Sequence, residues 1–234
     1  MGYWRCGVNR SIMTICLVLV CSTSAHAQEA ARKEGTAGLC VPQSERAGRE
    51  FGCFVLAHAS LGTLGNAPTF WYVDRFDDRT RADAAKGPRG TVVESLGHAW
   101  LLTIEGADWH SSGGERMAAI GPLPVDAGTA YSAQYMEAVF LPGMKSTVHR
   151  HGGPEAWYTV TGETCLETPN GTSVGRRGGV NVIVPHGPPM ELTATGTETR
   201  RALVLILHDT LLPATSDASS EWKPKGLCEK SPPG

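Results

Sequence analysis

Residues 143–162 read GMKSTVHRHGGPEAWYTVTG, and this stretch decides the fold. His149 and His151 stand two apart. Side chains alternate sides along an extended strand, so both imidazoles leave the same face. Gly152-Gly153-Pro154 reads as a turn. It predicts the return of Glu155 on the next strand, beside the two histidines. Two imidazoles and a carboxylate would then converge on one point. That is the 2-His-1-carboxylate face preferred by Fe(II) and related divalent metals, and it leaves coordination positions open. The ligands must be deprotonated, so such a site weakens as its histidines take up protons. Trp157 and Thr159 share Glu155's side of its strand.

The spacing is also a signature. Gly143, five residues, His149-x-His151, three residues, Glu155, six residues, Gly162 resembles the first motif of the cupin family. A second motif of that family runs Gly, five residues, Pro-x-Gly, two residues, His, three residues, Asn. Gly179, Pro185 and Gly187 match it, while Met190 stands at the histidine position and Ala194 at the asparagine position. The resemblance covers roughly residues 131–210. It implies an all-β chain built on a cupin double-stranded β-helix, the RmlC-like jelly-roll barrel, with a metal near one mouth. In the family the second-motif histidine completes a three-His, one-carboxylate site. Here His149, His151 and Glu155 are left as the implied ligands, with Met190, Trp157, Thr159 and Leu192 around them. Met190 either lines the pocket or offers a soft thioether of the kind that suits copper. Fe, Mn, Zn, Ni and Cu all accept this donor set.

Outward from the motif, the strand signal is dense. Tyr131–Leu141, Trp157–Val160, Thr164–Glu167, Val180–Val184, Glu191–Ala194 and Arg201–His208 each predict a strand. Pro142-Gly143, Pro169-Asn170-Gly171 and Arg177-Gly178-Gly179 punctuate them. Leu203–Leu207 is apolar at every position, as a strand buried on both faces requires. Earlier in the chain, Phe51–Ala57, Phe70–Val73, Thr91–Glu94 and His98–Ile104 predict strands, and Asp77–Lys86 predicts one short helix. Gly113–Gly128 is turn-rich.

The N-terminus predicts export. Arg5 and Arg10 precede a short apolar run over Ile12–Val20, and Ala25-His26-Ala27 offers a small-x-small cleavage site. Cleavage there takes 27 of the 234 residues, leaves 207, and moves the net charge from −2 to −4. The run is too short to span a bilayer, which needs about 20 residues, so no membrane partner is expected after cleavage. Four of the seven cysteines remain: Cys40, Cys53, Cys165 and Cys228. An even count in an exported chain predicts disulfides, with the connectivity open. A secreted or periplasmic location follows. Lys+Arg 21 against Asp+Glu 23 leaves no basic excess for nucleic acid. The 28 glycines and 15 prolines carry no repeat period, which excludes collagen and fits hairpins.

The expected organisation is a signal peptide over 1–27, a disordered leader over 28–39, an N-terminal β-rich region over 40–112, a linker over 113–130, the metal-binding cupin domain over 131–210 and a tail over 211–234. Pro68–Tyr72 echoes Pro154–Tyr158 at an offset of 86, and Phe54 falls on Phe140 at the same offset. The first half is therefore either a degenerate, metal-free cupin copy or an N-terminal extension of a single barrel. The expected function is an exported cupin-domain protein that binds a divalent metal and acts on a small-molecule substrate, in the manner of a dioxygenase. The alternative is a non-enzymatic ligand-binding or structural cupin module. Homodimerisation through strand edges is implied by the resemblance.

Overall fold

The computed structural model describes residues 1–2, 36–37, 40–179 and 181–229. The signal-peptide reading, and the leader except for 36–37, therefore lie outside the described residues but for Met1 and Gly2.

The chain order is β1 (Thr36–Ala37), β2 (Val41–Pro42), β3 (Gly52–Thr63), β4 (Thr69–Phe76), α1 (Arg79–Ala85), β5 (Gly90–Ser95), β6 (His98–Gly106) and β7 (Glu115–Ile120). It continues with β8 (Ala130–Phe140), β9 (Lys145–Ser146), β10 (His149–His151), β11 (Glu155–Thr161), β12 (Glu163–Thr168) and β13 (Gly171–Arg176). The last strands are β14 (Val182–Val184), β15 (Glu191–Thr195), β16 (Arg200–Asp209) and β17 (Thr215–Asp217).

Two sheets face each other. One has the order β1-β9-β15-β12-β13 and the other β14-β11-β16-β8-β3-β2. Between them lies an apolar core of Met136, Ala138, Phe140, Trp157, Leu166, Val182, Val184, Leu192, Val204 and Ile206. This is the all-β jelly-roll arrangement, closed by sheets whose inner faces alternate with their outer ones.

The outer face of the second sheet is also covered. Strands β4 to β7 form a four-stranded antiparallel sheet of order β5-β6-β4-β7. Its Trp71, Val73, Trp100, Leu102, Ile104 and Ile120 pack on Tyr131, Ala133, Tyr135, Leu203, Leu205 and Leu207 of the barrel. This explains why β16 is apolar throughout: Ala202, Val204 and Ile206 face the barrel interior, and Leu203, Leu205 and Leu207 face the added sheet. It also orients β8, whose even-numbered Met136, Ala138 and Phe140 point inward.

The N-terminal half is thus divided between two sheets. β3 pairs with β8 inside the barrel, with Thr63 opposite Ala130. Residues 64–129 are inserted between these neighbouring strands. Gly113–Gly128, expected as a turn-rich linker, contains β7, whose Ala118 and Ile120 are buried against the barrel. The helix α1 is shorter than the predicted Asp77–Lys86. Asp78 caps it, accepting a hydrogen bond from the Arg81 backbone N–H at 2.8 Å. A cap of this kind contributes about 1 kcal/mol.

The tail, expected as a loose strap, carries β17 and is tied down twice more. Cys228 is disulfide-bonded to Cys165, and the carboxylate of Glu167 accepts from the backbone N–H groups of Lys225 and Leu227. The other disulfide joins Cys40 and Cys53. No helix among the described residues is long and apolar enough to cross a membrane.

Candidate metal and ligand site in the barrel

The His-x-His stretch forms β10, and its partner is the tail strand β17, with His149 opposite Asp217 and His151 opposite Thr215. On its other side His149 exchanges both backbone hydrogen bonds with Met190, at 3.0 and 2.8 Å. The chain then turns tightly at Gly152-Gly153. A Cβ on Gly153 would sit 2.0 Å from the Leu207 carbonyl oxygen, so only glycine lets β10 pass this close to β16. Glu155 follows as the first residue of β11.

Each of the three side chains is at most 7% exposed. The two imidazole rings lie 4.8 Å apart, inclined at 70°. His151 Nε2 stands 3.5 Å from Glu155 Oε2, too long for a good hydrogen bond. Both atoms are buried without a well-formed hydrogen bond, as is the indole N–H of Trp157, although both His151 and Trp157 bear on the Glu155 carboxylate. The remaining ring nitrogens are engaged. His149 Nδ1 donates to the Thr147 carbonyl at 2.7 Å. His151 Nδ1 lies 3.0 Å from the Ala214 carbonyl and 3.1 Å from Thr215 Oγ1. A backbone carbonyl on Nδ1 fixes the tautomer with its proton there and leaves Nε2 as the lone pair.

Burial, with the neighbouring His151, holds the His149 imidazole below its ordinary 6.5, against the opposing charge of Glu155. Burial pushes the Glu155 carboxyl up. The adjoining histidines outweigh it, and the acid settles below its ordinary 4.5. His149 therefore stands as a neutral imidazole beside the ionised Glu155 carboxylate near neutral pH.

As they stand, no three His, Cys, Asp or Glu side chains among the described residues are drawn together into a metal-holding group. The donor chemistry nonetheless fits a divalent ion. Unpartnered buried nitrogen and oxygen are rare in folded proteins and call for an ion or water, and the opposite ring nitrogens already carry the carbonyl acceptors typical of metal-ligating histidine.

The cavity beside these atoms is about 50 Å³, on a scale where one water needs roughly 10–15 Å³. His149, His151, Glu155 and Leu192 line it. Met190 is 1% exposed and packs into the apolar core beside the cavity without lining it. Trp157 and Thr159 point inward from β11 towards Gly175 of β13, behind the cavity wall. The Cys40–Cys53 disulfide, Phe140, Thr215 and Arg200 are also part of the lining.

Arg200 was not legible as a site residue. The predicted last strand begins at Arg201, yet position 200 shares the inward parity of Ala202, Val204 and Ile206, and that parity was the available signal. Its guanidinium lies 5.5 Å from the ring centroids of both Phe140 and Trp157. Burial lowers its pKa to about 10, opposed by the charge of Glu155, so it remains cationic at neutral pH. Backbone packing fixes its position: a Cβ on Gly162, whose φ is +69°, would meet the Arg200 Cα at 2.7 Å.

No family model matches the chain, and no curated protein matches it. Solved structures match over part of its length. A DMSP lyase, DddQ, from Ruegeria pomeroyi is 20% identical, with a TM-score of 0.34 over 39% of this chain and 45% of the lyase. The chain thus spans less than half of that protein. A cupin-like protein from Thermotoga maritima is 18% identical, with a TM-score of 0.34 over 42% of this chain and 69% of the other. A Cupin 2 conserved barrel domain protein from Salinispora arenicola is 19% identical, with a TM-score of 0.30 over 38% and 82%. The motif in register and the two facing sheets closed around it, rather than these partial likenesses, show the fold, an all-β jelly-roll barrel of the cupin type.

Proposed function

We propose that this chain is an exported cupin that holds a divalent metal through His149, His151 and Glu155 and acts on a small molecule. The observation that carries the reading is the pair of buried ligand atoms, His151 Nε2 and Glu155 Oε2, which face one another at 3.5 Å on one cavity without a well-formed hydrogen bond. A metal held there supplies a Lewis-acid centre with positions left for a ligand. The chain's own residues do the rest. Thr147, Ala214 and Thr215 hold the imidazoles at a fixed tautomer and angle. Phe140, Leu192 and the Cys40–Cys53 disulfide give the cavity an apolar wall. Export is supported by the two disulfides, which persist in oxidising compartments.

A dioxygenase-like reaction suits the donor set. Glu155 is the one acidic residue lining the cavity, so no second carboxylate stands ready as an acid or base. That observation favours a binding module as the second reading. Metal analysis of the purified, oxidised protein, with His149→Ala and Glu155→Ala alongside, tests the site. Stoichiometric metal lost in both variants is the expected result, and wild type that holds no divalent metal after incubation overturns it. Oxygen uptake over phenolic and keto-acid substrates then separates enzyme from binder.

A further inference from the structure

Arg200 is 1% exposed, and its Nε and Nη2 have no hydrogen-bond partner. Among the described residues no carboxylate lies within ion-pair distance of it. A buried charge without a partner costs several kcal/mol, and proteins seldom retain one without use for it. Arg200 also lines the same cavity as His149, His151 and Glu155.

We propose that Arg200 is the anion-recognising group of this cavity and that the small molecule it takes is a compact carboxylate. The inference rests on the cavity being the ligand site proposed above. A guanidinium matches a carboxylate in shape, presenting a planar fork of donors to two oxygens. Phe140 and Trp157 each set a ring 5.5 Å from the guanidinium, which is buried from water, where its attraction for an anion is screened least. Glu155 is the lone negative charge on the cavity wall. A divalent ion at the histidines would engage it and leave the cavity with excess positive charge. Metal and carboxylate binding would then reinforce one another. The volume of about 50 Å³ limits the carboxylate to a few heavy atoms unless the walls move.

The test is titration of acetate, with acetamide as the neutral isostere, into metal-free and Mn(II)-loaded protein, read by calorimetry and by the shift in melting temperature. Acetate should bind at least about tenfold more tightly than acetamide, the difference expected of one charge-assisted fork. Arg200→Met should lose the acetate response while melting no lower than wild type, because it removes an unpaired buried charge and leaves an unbranched apolar stem in its place. Equal binding of acetamide and acetate, or an acetate response retained in Arg200→Met, overturns the inference. The wild-type comparison decides the matter even if the variant fails to fold. Acetate binding without Mn(II) uptake would sink the metal reading and leave this one standing. Mn(II) uptake without acetate binding would do the reverse.

Discussion

Cutting the Cys165–Cys228 disulfide should damage the site more than the fold. The bond closes a loop with a sequence separation of 63. Chain-entropy arithmetic for a loop of that size gives about 4 kcal/mol at 25 °C. That figure is an upper bound here. The tail is also held by Glu167 through two backbone N–H groups, by Arg150 through Glu221 and by Lys145 through Glu229. A Cys165→Ser/Cys228→Ser chain should therefore lose about 2–4 kcal/mol of stability in denaturant melts. The consequence for the site is more specific. The tail supplies Ala214 and Thr215, the acceptors of His151 Nδ1, and β17 is the strand that pairs β10. Loss of an outer partner of a ligating histidine typically weakens metal binding 10–100-fold. Calorimetric titration with Zn(II) should show a loss in that range. Leu203→Ala is the control. It lies on the outer barrel face, is fully buried, and should cost a comparable roughly 2–5 kcal/mol without touching the histidines. If the disulfide variant and the control bind Zn(II) alike, the tail does not orient His151 and the reasoning fails.

Three further expectations can be measured together. His151→Ala should weaken Zn(II) binding beyond the roughly 100-fold that outer-shell changes reach, and unchanged affinity would remove His151 from the ligand set. Metal-free protein should lose stability as pH falls below about 6.5. His149 takes up a proton there in the unfolded chain while burial keeps it neutral when folded, so the unfolded state binds more protons and gains as pH drops. His149→Ala should flatten that part of the melting-temperature profile, and an unchanged slope would contradict the burial effect. Trp100→Ala should cost roughly 3–5 kcal/mol in denaturant melts. It empties a site where the indole N–H donates to the Ser95 carbonyl at 2.8 Å and the ring meets Tyr158 edge-on at 6.0 Å. A loss under about 1 kcal/mol would mean that the added sheet does not depend on its contact with the barrel.

Local signals are legible in the sequence because their physics is local. The hairpin at Asn170-Gly171 joins β12 to β13 with Thr168 opposite Gly171. The unbroken apolar run of Leu203–Leu207 reported a strand buried on two sides, though the second side is an added sheet and not more barrel. β7 is not legible locally because Glu115-Arg116 and the flanking glycines and prolines have the composition of a loop. Arg116 is neutralised by the buried Asp74 and lies over Tyr72, a pairing 42 residues apart that no window contains. β17 is hidden for the same reason. Thr215–Asp217 has no strand pattern of its own and is extended because β10 offers it hydrogen bonds. The ligand candidates followed from spacing alone, but the acceptors that orient them and the charge that faces them come from the tail and from Arg200, both remote in sequence.

The direct pairing of Thr63 with Ala130 has an architectural consequence. The segment 64–129 leaves and rejoins the barrel at a single rung, so in connectivity it stands where a short turn would serve. Carrying it instead of a four-residue turn costs only about 2–3 kcal/mol of closure entropy, since that term grows logarithmically. A barrel of this kind can acquire a large appendage at one rung without rerouting any strand of the ligand cavity. Once there, the appendage becomes hard to delete. Tyr135, Leu203, Leu205 and Leu207 are interior residues on what would otherwise be an outer wall, and excision would leave a greasy face open to association with other chains.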